Sequence, residues 1–274
     1  MTSKTPAMTV SPLDRVSTSL PLAQTESTRG TPLRDEIDRQ YASIPVCICS
    51  FVSGLCDSVA FNASTVFVSM QTGNTIFLAL GTASLPLSVP TMWLRALCSI
   101  AAFIIGVFCF SLFRHVRPTS KATLAINFFV QSLFIFAAAA LAESGYASAA
   151  KDLQHAESLE HQGTIEFEVL VPIVLLAFQF GGQIVSSRQL GYNEVPTNVL
   201  TSLYCDLFSD PNIFAPWSEN PKRNRRAFAA ILMFAGGVVG SWLGRSNAGL
   251  SAALWLGGAV KLTISLAWLG WKSK

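Results

Sequence analysis

The sequence predicts an all-α polytopic membrane protein with about six transmembrane helices, two further re-entrant or broken helices, and two pseudo-repeated, inverted halves. Three observations carry this reading. Of 274 residues, 51% are hydrophobic and only 13% charged, with a mean hydropathy of +0.45, whereas a soluble domain is roughly 25% charged. The charges fall between long uncharged runs. None occurs from Ser58 to Leu94, nor in Ala96–Phe113, Ala122–Ala142, Val169–Ser187 or Ala227–Gly244, and a soluble surface needs its charges spread along the chain. The third observation is that the order of apolar runs and polar interruptions occurs twice.

In chain order, residues 1–43 are rich in Ser, Thr and Pro, balance five basic against five acidic residues, and hold no signal-peptide core, so a disordered cytoplasmic tail is expected. Its Ser and Thr content invites phosphorylation. The transmembrane domain is expected over 44–271. A helical span needs ~20 apolar residues, and six segments qualify, at about 44–63, 96–114, 122–143, 168–188, 227–245 and 249–271. Two more apolar stretches are too polar to face lipid. They are Val66–Leu85, centred on Gln71-Thr72-Gly73-Asn74-Thr75, and Val195–Phe208, which holds Pro196, Thr197, Asn198, Thr201 and Asp206.

Basic clusters decide how these stretches lie, because short cytoplasmic loops carry an excess of Lys and Arg. The clusters are Arg29/Arg34/Arg39, Arg114/Arg117/Lys121, Lys222/Arg223/Arg225/Arg226 and Lys272/Lys274. They share one side only if the two polar stretches enter and leave on the same side. Both termini are then cytoplasmic. The halves, 44–143 and 168–271, are then joined by a non-cytoplasmic connection, 144–167, which is acidic through Asp152, Glu157, Glu160 and Glu166. Arg95 and Arg245 are the single charges this topology sends to the far side.

The repeat is visible in the residues. Arg95-Ala96 opens an apolar run that ends at Arg114, and Arg226-Ala227 opens one that ends at Arg245, with Gly106 and Gly237 at matching places. Phe51-Val-Ser-Gly54 precedes the first polar stretch as Phe178-Gln-Phe-Gly-Gly182 precedes the second. Three spans per half is an odd number, so the second half is inverted relative to the first. The stretch Phe51-Val-Ser-Gly54-Leu-Cys-Asp57-Ser-Val-Ala-Phe61, followed by Val66-Phe67-Val68-Ser-Met70-Gln-Thr72-Gly73-Asn74-Thr75, resembles the signature of the YoaK family. Ala177-Phe-Gln179 and Val195-Pro196-Thr197-Asn-Val-Leu-Thr201 extend the likeness over about residues 44–271. Ser202 departs from it where a glycine is expected, which makes the second interruption less sharp. The resemblance implies a multi-spanning membrane fold and brings no activity.

Few residues could carry chemistry. Asp57 lies inside a span, where a carboxylate costs about 2.5–3.5 kcal/mol on insertion scales. It either binds a proton or cation beside the first interruption or makes a structural hydrogen bond. In Thr72-Gly73-Asn74-Thr75 the glycine permits non-helical backbone and the Thr and Asn side chains can satisfy the amides a break releases, so the motif is a solute contact or an internally satisfied kink. Thr197, Asn198, Thr201 and Asp206 offer the same chemistry in the second half, with Asp206 deep or at the interface. Lys261 sits too deep to snorkel and calls for an internal partner, with Asp57 or Asp206 the expected one. Two carboxylates against one ammonium would leave a charge that a proton or monovalent cation balances. Gln131 and Gln179 are expected to hydrogen-bond between helices, and Gly236, Gly240 and Gly244 to bring helices close.

Other classes find little support. The net charge of +3 in separate clusters argues against nucleic acid. Cys47, Cys49, Cys56, Cys98, Cys109 and Cys205 lie in or beside apolar segments and read as reduced, packed thiols. Asn62-Ala-Ser64 is a sequon too close to a span end to be used. His115, His155 and His161 fall in connections, and no nucleophile elbow, phosphate loop or metal motif occurs. No enzyme activity, cofactor or metal is expected. The expected partners are the lipid bilayer, a small solute and a proton or monovalent cation. The expected function is a small-solute secondary transporter or permease, with a passive channel or a non-transporting scaffold as alternatives.

Overall fold

The computed structural model describes residues 33, 35–39, 41–86, 88–144, 167–247 and 249–274. Most of the expected tail and the acidic connection from 145 to 166 lie outside the described residues. Eight α-helices and no β-strand occur among those described: α1 (Ser43–Ser64), α2 (Gln71–Gly81), α3 (Met92–Ser111), α4 (Lys121–Glu143), α5 (Phe167–Leu190), α6 (Leu200–Phe208), α7 (Pro221–Arg245) and α8 (Gly249–Leu269). A 3-10 turn, Leu112–His115, extends α3. Six of the helices are long and apolar enough to cross a membrane, so the chain is a multi-pass integral membrane protein. They coincide with the six expected spans, except that α3 and α7 start earlier. Arg95 is taken into α3 because its guanidinium donates to the Ser64 carbonyl at the end of α1. Pro221 provides the first turn of α7 and the Asn220 side chain caps the Arg223 amide at 3.0 Å, a start signal that the downstream charges hide from hydropathy.

The helices pair in a pattern that is kept when the halves are exchanged, except that α7 also packs on α8 without an equivalent α3·α4 pair. α1 packs on α7 as α3 packs on α5; α2 lies on α3 as α6 lies on α7; α4 meets α5 as α8 meets α1. The α4·α8 and α1·α5 pairs map onto themselves, so the axis relating the halves runs through both. Close approach is made by glycine in equivalent places. A Cβ on Gly106 of α3 would fall on the Phe178 carbonyl of α5, and one on Gly236 of α7 on the Phe51 carbonyl of α1. The structural counterpart of Gly106 is therefore Gly236, one residue before the Gly237 obtained by counting from the arginines.

Both polar stretches are re-entrant. α1 ends at Thr65, whose φ of 59° turns the chain back, and residues 66–70 run alongside α1 to the level of Asp57. α2 then leads out again, antiparallel to the first half of α3: Asn74 meets Ser99, and a Cβ on Gly81 would fall against Trp93. In the second half the chain leaves α5 at Leu190, returns to the level of Phe180 and Gln183, and α6 leads back beside the start of α7.

All the described basic clusters lie at one end of the bundle, and the last residues of the expected tail are ordered there. Ile37 is buried, its amide donating to the Thr119 carbonyl, while Asp38 and Lys274 amides pair with the Lys272 and Glu36 carbonyls. Burying Ile37 against an apolar cluster that includes Trp268, Leu190 and Leu124 offsets the ordering of this short strip. At the same end, the Asp210 carboxylate organises the α6–α7 corner by accepting from the Asn212 amide (2.9 Å) and the Asn220 side chain (3.1 Å), with Arg226 at 3.4 Å. These contacts, the Asn212 amide first, hold its carboxyl below the ordinary 3.8. A depressed folded pKa means stabilisation that is full above the ordinary value and lost as pH falls through the lowered one. Hydrogen-exchange protection of residues 209–224 is expected to fall on acidification through that range in the native chain, and to be already low at neutral pH in Asp210→Ala.

Candidate functional site

Each return is pinned by buried polar side chains of the spans. Asp57 Oδ1 accepts the amides of Val68 (2.9 Å) and Ser69 (2.8 Å), and Oδ2 accepts the Ser69 hydroxyl (2.5 Å). Asn74, in the first turn of α2, closes the same loop. Its Oδ1 accepts the Phe67 amide at 3.0 Å, and its Nδ2 donates to the Phe67 carbonyl at 2.7 Å and to Ser99 of α3 at 3.1 Å. In the second return, Thr197 takes a φ of 61° and donates to Asn198 Oδ1 at 2.7 Å. Asn198 donates to the Phe180 carbonyl at 3.2 Å and accepts from Gln183 of α5 at 2.8 Å and Ser53 of α1 at 3.4 Å. The amides of residues 67–69 and the Phe67 carbonyl freed by the first reversal are thus satisfied inside the protein, and the Val195 carbonyl of the second accepts from Ser187, as a bilayer interior requires.

The two returns come together on α1. Ser53 touches the second and Asp57 the first, and these residues lie one turn apart on one helix face, about 6 Å along the axis. A buried polar layer continues from there through α5 and α4 to α8. Gln183 also donates to Ser53 at 2.7 Å; Ser186 accepts from Asn127 at 3.1 Å and Gln131 at 3.4 Å; and Gln131 Oε1 accepts from Lys261 Nζ at 2.6 Å. Lys261 is wholly buried with its ammonium 5.1 Å from the centre of the Phe128 ring. The Gln131–Lys261 bond joins α4 to α8 and the Ser53–Gln183 bond joins α1 to α5, the two pairs that the exchange axis passes through. In an inverted repeat that axis lies in the membrane plane, so the layer sits at mid-depth.

This layer has unspent hydrogen-bonding capacity. Gln131 is the one acceptor that Lys261 has among the described residues, which leaves two of its three donors free. Among the described residues, Gln179, fully buried one turn from Gln183, has a partner for neither end of its amide, and Ser50 Oγ and Gln183 Oε1 are likewise unpaired. Buried polar atoms without partners cost about 1–3 kcal/mol each, so such a cluster calls for an explanation.

Several sequence expectations are corrected. Lys261 has a glutamine and an aromatic ring where a carboxylate was expected. Asp206 is half exposed, 3.7 Å from Arg226 at the basic end, and Asp57 is engaged by the first return, so the balance of two carboxylates against one ammonium is not met. Gly73 is helical, and the break precedes it, at 65–70; a Cβ there would press on the Phe67 ring at 2.9 Å. Thr72, Thr75 and Thr201 face outward on α2 and α6, which cover the bundle's flank. Asp57, Asn74, Thr197, Asn198 and Lys261 are the expected residues that do reach the interior. Ser53, Asn127, Gln183 and Ser186 were missed, although Ser50/Ser53/Asp57 and Gln179/Gln183/Ser186 fall at helical spacing on one face of their helices.

Six crossing helices in two exchange-related sets, each with a re-entrant segment reaching the middle of the bundle, define a multi-pass helical membrane protein of the inverted-repeat class. The chain belongs to the family described as a protein of unknown function, DUF1275, whose model matches residues 46–267 and so takes in both halves and both returns. No curated protein and no solved structure matches it.

Proposed function

We propose that the protein is a secondary transporter for a small solute bearing an anionic group, which binds at mid-depth against Lys261 and Gln179, beside the two returns. The observation that supports this reading is the arrival of both re-entrant tips on one turn of α1, next to buried groups with unspent donors and acceptors. Irregular backbone at membrane depth is tolerated where it is buried in protein or lines a cavity, and interrupted helices form the solute sites of inverted-repeat transporters. An ammonium with no carboxylate beside it among the described residues attracts an anion, while the Gln179 amide and Ser50 hydroxyl fix its orientation. A proton or monovalent cation travelling with the solute drives uptake. The positive-inside rule assigns the basic end and both termini to the cytoplasm. No step calls for a catalytic residue, a cofactor or a metal.

The test is flux in vesicles containing the purified protein, screened over small carboxylates, inorganic anions and neutral polar analogues. Saturable anion flux that responds to a proton or sodium gradient is expected, falling at least tenfold in Lys261→Met and in Gln179→Leu. Lys261→Met is expected to keep thermal stability, because relief of the buried ammonium's desolvation penalty offsets leaving Gln131 Oε1 without its donor. Non-saturating flux indifferent to the gradients identifies a channel. Absence of flux for every solute, with the chain folded, leaves the scaffold reading.

A further inference from the structure

We propose that the groove between α3 and α5 at the basic end holds one anionic phospholipid, with its phosphate between Arg114 and Arg188. The groove, of about 420 Å³, is walled by Phe103, Val107, Ile184 and Val185, and closed at its outer mouth by the two arginines with Ser111 and Gln189. Neither arginine enters an ion pair among the described residues; Arg188 reaches only the neutral Asn193 and Arg114 only His115. Gln189 Oε1 is buried there without a partner among the described residues, an acceptor suited to a headgroup hydroxyl. From Phe103 to Arg114 the helical rise is about 16 Å, close to half the ~30 Å hydrocarbon thickness, so the apolar part matches one acyl chain and the arginines meet its phosphate at the interface. The floor is fixed by Gly106 and Gly181, whose missing side chains let α3 and α5 touch at Phe178 and Phe103.

An internal comparison separates this site from a generic lipid-facing crevice. The exchange-related groove, between α1 and α7, has a similar volume of about 400 Å³, and Gly237 and Ser241 stand where Val107 and Ser111 do. Its lining has Ser58, Ser241 and Trp242 and no basic residue. Charge complementarity therefore selects an anionic lipid for the first groove alone.

The experiment is native mass spectrometry of the full chain from nanodiscs of phosphatidylcholine with and without phosphatidylglycerol, together with a photoactivatable phosphatidylglycerol probe and peptide mapping. One retained phosphatidylglycerol per chain is expected, with adducts on 103–114 and 184–189, and no retention of phosphatidylcholine. Arg114→Gln/Arg188→Gln should reduce retention at least tenfold, whereas Arg117→Gln/Lys222→Gln, at the same end but outside the groove, should not. Competition by inorganic phosphate at equal concentration would show a free-anion site and overturn the lipid assignment. Equal loss in both double variants, or adducts spread evenly over both grooves, would also overturn it. If the groove variant does not fold, the adduct map on the native chain decides.

Discussion

Asp57→Ala is expected to destabilise the protein by about 3–5 kcal/mol, the range for removing one side of a buried charged interaction. The side chain does not sit beside Lys261; it receives three donors from residues 68 and 69, and each hydrogen bond to a charged group contributes about 1.5–3 kcal/mol. Alanine would leave two amides and a hydroxyl unsatisfied inside the bundle, and the first return would lose its anchor. The readout is the unfolding temperature in detergent, expected to drop on the order of 10 °C, with new proteolytic cleavage between 65 and 70. Asp57→Asn is the informative companion. Its Oδ1 can still accept both amides, and the Ser69 hydroxyl can reverse and accept from the new NH₂, so less than half the effect is expected. Unchanged unfolding in Asp57→Ala would refute the anchoring role; full stability but lost flux in Asp57→Asn would return Asp57 to the transport chemistry.

Gly236→Ala and Gly237→Ala are expected to differ sharply although the residues are adjacent. A Cβ on Gly236 would fall on the Phe51 carbonyl and lie 2.9 Å from the Leu55 amide, both backbone atoms of α1 that cannot move without displacing the helix. A Cβ on Gly237 has the Gly54 carbonyl at 3.9 Å as its nearest neighbour, an ordinary contact. Overpacking costs about 1–3 kcal/mol in adaptable cores; with backbone against backbone the upper end is expected for Gly236→Ala, while Gly237→Ala should be neutral or stabilising by up to about 1 kcal/mol from helix propensity. Gly54, which fits against Met233 from the opposite side, provides the coupling test. Once α1 and α7 are held apart by one methyl, the second costs less, so Gly54→Ala/Gly236→Ala should be clearly sub-additive. Equal unfolding temperatures for the two adjacent single variants would refute the packing argument.

How much of this could be read from the sequence follows from what each feature depends on. The six spans were legible because hydropathy is a sum along the chain and the bilayer is a uniform solvent. The two returns were legible because a polar interruption and the placement of basic clusters both depend on order alone. The boundaries of α3 and α7 were not, since Arg95 and the 221–226 turn are helical by virtue of the Ser64 carbonyl and an Asn220 cap. The ordering of 35–39 was hidden too, because one isoleucine among charges gives no periodic signal.

The site divides in the same way. That Asp57 and Lys261 have internal partners follows from the energy of a charge in hydrocarbon, which is a property of the residue and its depth. Which partners they have does not follow, because a helix turns about 100° per residue and only packing fixes which faces meet. The tertiary structure gave Asp57 to the backbone of residues 68–69 and Lys261 to Gln131, left Thr72 and Thr201 on the flank, and brought Gln183, Ser53 and Asn198 together. The sequence by itself determined a six-span, twice-interrupted membrane protein with its basic clusters at one end, since those are one-dimensional sums against a slab. Only the three-dimensional packing, through helix rotation and the depth at which each chain reversal stops, decided which polar groups share the centre.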